Sequence, residues 1–431
     1  MEREKMRIVV IGCGRFAHNF VPLFKAHPVV EKVYVCDIRK EREQNYMERF
    51  DVEGYESFEK ALADPNINAV AIFTERFRHG QMVIDALKAG KHVYSAVPCA
   101  ISIDEIREIE RLVRETRLTY SMGETGVYRA AAVYCRREYK KGTFGKFVYG
   151  EAQYNHDIRN MENSFKSSGG EEHWKEFAGI PPFFYPTHST SMILGSMPGV
   201  YATKVSAMGY AGSPRTDIYG RDGQNYYDNP FGNETMLVQL SNGGIMRISE
   251  NRCVGWMSPE TYISQFYGTD GGYEFSVAKH HQSHWDPERP GKVIMKDVTS
   301  ELQSPAIAWF IKNDFNTAIQ QIGNAKGLSE DHKTSETPEV NKPAPVQPTW
   351  RLPKEFEGLK NGHGGTHQFM IDDFCRAYAT GKLSPTNIWT AARYNIPGLI
   401  AHESAMAGGK LMDIPDLGDP PADWEVLDFD S

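Results

Sequence analysis

The apolar run Ile8-Val9-Val10-Ile11 ends in Gly12-x-Gly14-x-x-Ala17. A second run, Val33-Tyr34-Val35-Cys36, ends in Asp37, twenty positions after Ala17. Strand, glycine turn, helix, strand and terminal acid make up a dinucleotide-binding fingerprint. Gly12 lets the chain turn off the strand, Gly14 lets a pyrophosphate approach the backbone, and Ala17 lets the helix lie close to the sheet. Free N–H groups at the helix start face the phosphates, with Arg15 and Phe16 in the same turn. Asp37 is placed to accept the adenosine ribose hydroxyls and would repel a 2′-phosphate, so NAD is the expected cofactor. Arg39 keeps NADP as the alternative. The competing reading is a glycine turn of purely structural use.

These residues need a sheet to hold them. Ile67–Phe73 reads as a buried strand ending at Thr74, with a helix from about Arg78 to Lys88. His92-Val93-Tyr94 starts a strand, Ile103–Glu115 a helix, and Leu118–Met122 a further strand. The alternation predicts an α/β domain with a doubly wound parallel sheet over residues 1–122. Its ligands are expected at the strand ends: Gly12, Asp37, Thr74, Tyr94–Pro98 and Gly123-Glu124.

From Gly145 the pattern changes to alternating strands: Gly145–Asp157, Glu234–Leu240, Gly244–Ser249, Thr261–Tyr267, Gly272–Val277 and Val293–Lys296. Glycine-rich hairpin signals join several of them. Residues 123–431 are therefore expected to form an α+β domain with an open, mostly antiparallel sheet. One face would cover the cofactor and the other would meet a partner copy, giving a homodimer or homotetramer. A surface insertion is expected at about 323–349, helices at about 366–380 and 386–408, and an extended tail from Met412.

Composition bounds the function. The 431 residues carry 48 Lys and Arg against 56 Asp and Glu, a net charge of −8. That argues against a nucleic-acid partner, which needs a basic face. No apolar stretch reaches the length of a membrane span. The N-terminus enters the first strand without an export signal, and six scattered cysteines form no CxxC pair, so free thiols in the cytoplasm are expected. Cys13 reads as a small filler in the phosphate turn. His280-His281-x-x-His284 and His363-x-x-x-His367 have zinc-like spacing, yet no further ligand completes either set. They read as polar loop histidines, with no metal expected; His363 is also a candidate for lining the pocket. Trp256, Trp285 and Trp309 read as core residues or sugar platforms.

The stretch Ala69–Ala100, with its Thr74, the helix led by His79, Ala89-Gly90-Lys91-His92-Val93 and a motif ending in Pro98, resembles the Gfo/Idh/MocA oxidoreductases. The resemblance implies a Rossmann domain, a second α/β domain, NAD(P) between them, and a sugar or polyol substrate. It adds Thr74, His79 and Pro98 to the cofactor set. Two departures stand out. The family's Glu-Lys-Pro is Ala96-Val97-Pro98 here, and its Asp-x-x-x-His has Phe184 four residues before His188.

Tyr154-Asn155-His156-Asp157-Ile158-Arg159, Tyr185-Pro186-Thr187-His188, Glu124 after the last Rossmann strand, and Gly362-His363-Gly364-Gly365 are similar to the family's NAD-dependent glycosidases, typified by α-N-acetylgalactosaminidases. That subgroup usually has a glutamate where Ala96 stands. Its chemistry is oxidation at C3 of the sugar, elimination across C2 and C1, addition of water, and reduction. The resemblance implies His188 as base for the C3 hydroxyl, Tyr185 as its orienting partner, Tyr154 as base for the C2 proton, and Glu124 at the sugar or nicotinamide. Tyr154 would need a cation or the cofactor ring to lower its pKa. Arg159 and Asp157 would shape the entrance. The plainer readings are a loop histidine for His188, a core aromatic for Tyr154, a solvated acid for Glu124, and structural partners for His156 and Asp157. The functional alternatives are a net sugar or glycoside dehydrogenase and a non-catalytic NAD-binding protein.

Overall fold

Strands β1 (Met6–Ile11), β2 (Val30–Cys36), β3 (Glu53–Gly54), β4 (Ala69–Ile72), β5 (His92–Ser95) and β6 (Tyr120–Met122) pair in parallel in the order β3-β2-β1-β4-β5-β6. The chain is seen in a computed structural model that describes residues 4–166, 171–220, 222–254, 261–276, 279–286, 288–289, 293–305, 308, 342–359 and 361–431. The central β4 is apolar and buried at every position, as a parallel strand covered on both faces is. Strand order reverses between β1 and β4, which opens a crevice at the carboxyl ends.

Gly12 is required at that crevice. Its φ is +97°, and a Cβ would lie 2.6 Å from the Phe73 carbonyl oxygen. Gly12→Ala is expected to lower the unfolding free energy by about 1–3 kcal/mol and to weaken NAD binding. An unchanged melting temperature and NAD affinity would contradict this close approach. The first helix begins later than expected. A 3-10 turn, Ala17–Asn19, comes first, and the α-helix spans Val21–Ala26. Pro22 sits in its first turn, where the missing N–H costs nothing, and so marks the start.

The second sheet holds β7 (Phe147–Asn155), β8 (Ala202–Tyr210), β9 (Asn233–Leu240), β10 (Ile245–Asn251), β11 (Tyr262–Gly268), β12 (Gly271–Ser276), β13 (Lys279–Trp285), β14 (Val293–Asp297) and β15 (Met412–Asp413). Their order is β14-β13-β12-β11-β7-β10-β9-β8-β15. The pairing is antiparallel except between β7 and β10.

Three of these strands were not expected. The inward residues of β8 are mostly small, β13 reads almost wholly polar, and β15 has two residues. His280, His281 and His284 therefore lie on a strand, not in a loop. His280 is buried, its Nδ1 lies 2.7 Å from the Tyr273 hydroxyl, and burial pushes its pKa down to about 4. Most of the expected insertion lies outside the described residues. Its final part, 342–349, is anchored: Gln347 donates to the Tyr128 carbonyl at 2.6 Å. Trp256, Trp309 and the Trp285 side chain also lie outside the described residues.

Three helices set the site. Thr187–Leu194 is buried at every residue and lies across β7, β10 and β11. It has no exposed face, so no helical period marks it in the sequence. The Ser189 hydroxyl donates to Glu250 and that of Thr190 to the Tyr394 carbonyl at 2.7 Å, which satisfies both inside the core. Helix Ile388–Met406 starts at Asn387, whose side chain accepts from the N–H groups of Trp389 and Thr390. At Gly398 a Cβ would lie 2.3 Å from the Phe183 carbonyl oxygen, so this glycine lets the turn before Tyr185 approach. Helix His367–Thr380 follows Gly362–Gly365. All six cysteines are free. Among the described residues no helix is long and apolar enough to cross a membrane.

Candidate active site

Across β9, β10, β7 and β11 the ionisable groups of the inner face gather in one transverse row. Glu234, Glu250, Tyr154 and Tyr262 are register neighbours on β9, β10, β7 and β11. All four are buried. Burying such groups costs several kcal/mol unless each finds a partner, and each does. Glu234 pairs with His402 Nδ1 at 2.7 Å and accepts from Phe183 N–H at 2.9 Å. Glu250 takes Arg252 Nη2 at 2.9 Å and the Ser189 hydroxyl. The Tyr154 hydroxyl lies 2.5 Å from His156 Nδ1.

His188, in the first turn of its helix, faces this row. Its Nδ1 is 2.7 Å from Glu124 Oε1 and its Nε2 is 2.6 Å from the Tyr185 hydroxyl. With Nδ1–H donating to the carboxylate, Nε2 is left as the acceptor of the Tyr185 proton. Thr125 Oγ1 stands 3.3 Å from Nδ1 and 3.4 Å from the Tyr262 hydroxyl. The His188 ring centroid is 4.9 Å from that of Tyr154, 4.8 Å from Tyr185 and 5.4 Å from Tyr262. His188 is thus no loop histidine bonded to backbone.

Glu124 is not a solvated acid either; it exposes none of its surface (0 %). Besides His188 it accepts from Gly126 N–H at 2.6 Å, and its Oε2 has no hydrogen-bond partner. Gly126 permits the approach, since a Cβ there would lie 2.6 Å from the His188 carbonyl oxygen. Phe184 meets His402 edge-on at 5.2 Å, so the carboxylate missing before His188 comes instead from Glu124, at the end of β6.

Arg252 is the buried cation of the cluster. Its guanidinium carbon lies 5.0 Å from the Tyr154 ring centroid and 5.7 Å from that of Tyr185. Burial pushes Tyr154 up to about 12, with Arg252 opposing, and pushes Tyr185 up as well. Burial also pushes Glu250 up to about 7, again with Arg252 opposing. Tyr154 is therefore not a lowered phenol in the chain alone. Arg252→Met removes the opposing cation, so the rising limb of the pH–rate profile, where a Tyr154 base loses its proton, is expected to move to higher pH. A limb at its parental position would mean that Arg252 does not act on Tyr154.

The expected cofactor residues line the carboxyl edge of the first sheet. Around Gly14 a Cβ would meet nothing within 4 Å, so this backbone stands open, with Arg15 and Phe16 beside it. Asp37 accepts from Cys13 N–H at 2.7 Å and Arg39 N–H at 2.8 Å and so braces the glycine turn. Arg39 pairs with Glu171 at 3.0 Å. Cys13 is buried, and burial pushes its thiol up, as a filler requires. His79 places Nδ1 2.9 Å from the Pro98 carbonyl and Nε2 3.1 Å from the Thr74 carbonyl, tying two strand ends together. The Val97–Pro98 peptide is cis, and Ala96 and Val97 are buried where the family has charged groups. His363 Nδ1 is 2.8 Å from His367 Nε2, and both rings meet Phe16 edge-on. His367 is buried at the start of its helix and pushed down to about 3. Among the described residues no three His, Cys, Asp or Glu side chains form a metal cluster.

Arg252, Glu250, Tyr262, Thr125 and Arg76 were not singled out from the sequence. Glu250 could have been: it continues the inward alternation Met246, Ile248 as a carboxylate. Asp157 braces the chain, accepting from Val254 N–H at 2.9 Å, whereas His156 meets the Tyr154 hydroxyl. The Arg159 side chain lies outside the described residues.

The profile of the oxidoreductase family with NAD-binding Rossmann fold (GFO_IDH_MocA) matches residues 6–124. A glycosyl hydrolase family 109 protein of Saccharopolyspora erythraea is 21% identical over 435 residues, covering 96% of this chain and 83% of that protein. An alpha-N-acetylgalactosaminidase of Bacteroides fragilis is 27% identical over 198 residues, 42% of this chain and 46% of that protein. Among solved structures, levoglucosan dehydrogenase in complex with NADH and levoglucosan superposes with a TM-score of 0.68 at 17% identity, covering 96% of this chain and 100% of that one. myo-Inositol 2-dehydrogenase from Lactobacillus plantarum gives 0.64 at 16% identity, with 95% and 100% covered. Residues 6–124 thus match the NAD-binding domain of the Gfo/Idh/MocA oxidoreductases, and the chain is similar along nearly its whole length to glycosyl hydrolase family 109 proteins and shares the two-sheet fold of the sugar dehydrogenases.

Proposed function

We propose that the protein is a redox-neutral, NAD-requiring glycosidase or glycoside lyase acting on a carbohydrate. The observation that carries this reading is the hydrogen-bonded chain Glu124–His188–Tyr185, set against Tyr154 where no lysine is available. The same convergence speaks against a non-catalytic NAD-binding protein, which would have no use for it. NAD, when bound, supplies the hydride acceptor and donor for C3 of the sugar.

The chain's own residues supply the proton steps. Glu124 holds His188 in one tautomer and stabilises it when charged, so Nε2 withdraws the C3 hydroxyl proton through or beside the Tyr185 hydroxyl. A ketone at C3 makes the C2 proton acidic. Tyr154, backed by His156 and the Arg252 cation, takes that proton as the glycosidic oxygen leaves C1. Water adds back across the double bond. No paired carboxylates of the usual glycosidase kind are required. Aryl glycosides incubated with NAD test the reading: aglycone release without NADH build-up supports it. NADH build-up with the glycoside intact would establish a net glycoside dehydrogenase instead.

NAD is favoured over NADP because Asp37 ends β2 and Arg39 is engaged by Glu171. Ile38, 96 % exposed beside Asp37, offers apolar surface to an adenine. Asp37→Ala is expected to weaken NAD binding and narrow the NAD-to-NADP affinity ratio; a ratio equal to the parent's would remove Asp37 from the ribose. A homodimer or homotetramer through the outer face of the second sheet is supported by exposed Met208, Leu237 and Ile245, and light scattering tests it. Six free cysteines fit a reducing, cytoplasmic setting.

A further inference from the structure

Arg76 follows the end of β4 by four residues and is half-buried. Its guanidinium carbon lies 4.3 Å from the Tyr185 ring centroid and 5.6 Å from that of Phe165. Nearby cations are paired: Arg252 with Glu250, Arg39 with Glu171, Arg215 with Asp217 and Glu162, and Arg78 loosely with Glu75. The site's carboxylates are likewise engaged, Glu124 by His188 and Glu250 by Arg252. The Arg76 guanidinium takes part in no hydrogen bond or ion pair among the described residues.

A guanidinium over an aromatic ring keeps its in-plane N–H donors available, and that fork matches a carboxylate or sulfate in two parallel bonds. Tyr185 carries Arg76 on its ring and His188 on its hydroxyl, so a sugar at His188 would also lie within reach of the cation. A neutral sugar has no use for an unpaired charge there; an anionic one does.

We propose that Arg76, seated over Tyr185, is a recognition site for an oxyanion on the substrate, making the preferred substrate an anionic sugar such as a uronic acid or a sulfated hexose. This rests on the assignment of the Tyr154–Tyr185–His188 cluster as the sugar site. The guanidinium gives the specificity by charge-assisted bonds whose loss costs roughly 10- to 100-fold in affinity.

The experiment uses binding, so it does not depend on turnover. The protein with saturating NAD is titrated calorimetrically with sodium glucuronate, sodium galacturonate, glucose 6-sulfate, glucose and galactose, alongside Arg76→Gln and Arg76→Lys. The expected result is that anionic sugars bind at least about tenfold more tightly than their neutral partners. Arg76→Gln removes that preference and Arg76→Lys retains part of it. The uronates against the sulfate ester identify the oxyanion. Equal binding of charged and neutral sugars, no binding of any anionic sugar, or a preference that survives Arg76→Gln overturns the proposal. So does a loss of NAD affinity in Arg76→Gln, which would place the guanidinium on the cofactor. Arg76-dependent sugar binding without cleavage of any glycoside would sustain this inference while defeating the glycosidase reading.

Discussion

His188→Ala is expected to lower kcat by about 10³-fold or more while leaving NAD affinity unchanged. Among the described residues the imidazole is the one group hydrogen-bonded to both Glu124 and the Tyr185 hydroxyl, so its loss breaks the proposed proton path at its centre. It does not contact the glycine turn, Asp37, Thr74 or Pro98, so the nucleotide has no reason to leave. Truncation also strands Glu124 in the core, at a cost of about 1–3 kcal/mol or more, so the melting temperature is measured with the kinetics. Glu124→Gln supplies the companion test. It keeps the volume but cannot stabilise a charged imidazole, and activity is expected to fall with less loss of stability. Full turnover in His188→Ala would remove His188 from the reaction.

Tyr154→Phe is the second large effect, and it separates the two proton transfers. The phenyl ring keeps the contacts with His188 and Tyr262 but loses the hydroxyl that meets His156. In the proposed cycle, oxidation at C3 does not use that hydroxyl and proton removal at C2 does. Aglycone release is expected to fall by about 10²- to 10⁴-fold, while NADH absorbance rises once, in proportion to enzyme, with the aglycone still attached. A matching fall in both signals would assign Tyr154 to the first step or to the architecture.

Much of the first domain is visible in the residues because each step there is local. Gly12, Gly14, Ala17 and Asp37 lie within one β-α-β unit, and the fully buried β4 and amphipathic Ile103–Thr116 keep simple periods. The second domain hides more. β13 is a strand with hardly an apolar residue, held by its neighbours rather than by its own pattern. Thr187–Leu194 is a helix without amphipathic period because every side is covered. The tail is extended, yet pinned by β15 and by an Asp430–Arg136 ion pair.

The site shows the same division. Tyr154, Tyr185, His188 and Glu124 can be picked out singly from short motifs. That Glu124 serves His188 in place of the family's local carboxylate spans 64 residues and needs the packing of Gly126 under the helix. The Glu250–Arg252 pair behind Tyr154 emerges only when β10 is laid beside β7.

The central claim is that C3 oxidation and C2 proton removal occur in one redox-neutral cycle. The direct measurement is turnover of a hydrolysable aryl glycoside in deuterium oxide with catalytic NAD, with the released sugar read by proton NMR. The expected result is deuterium at C2, retained hydrogen at C3 and no net NADH. A released sugar with hydrogen at C2 would mean that the glycosidic bond breaks without elimination and would contradict the account.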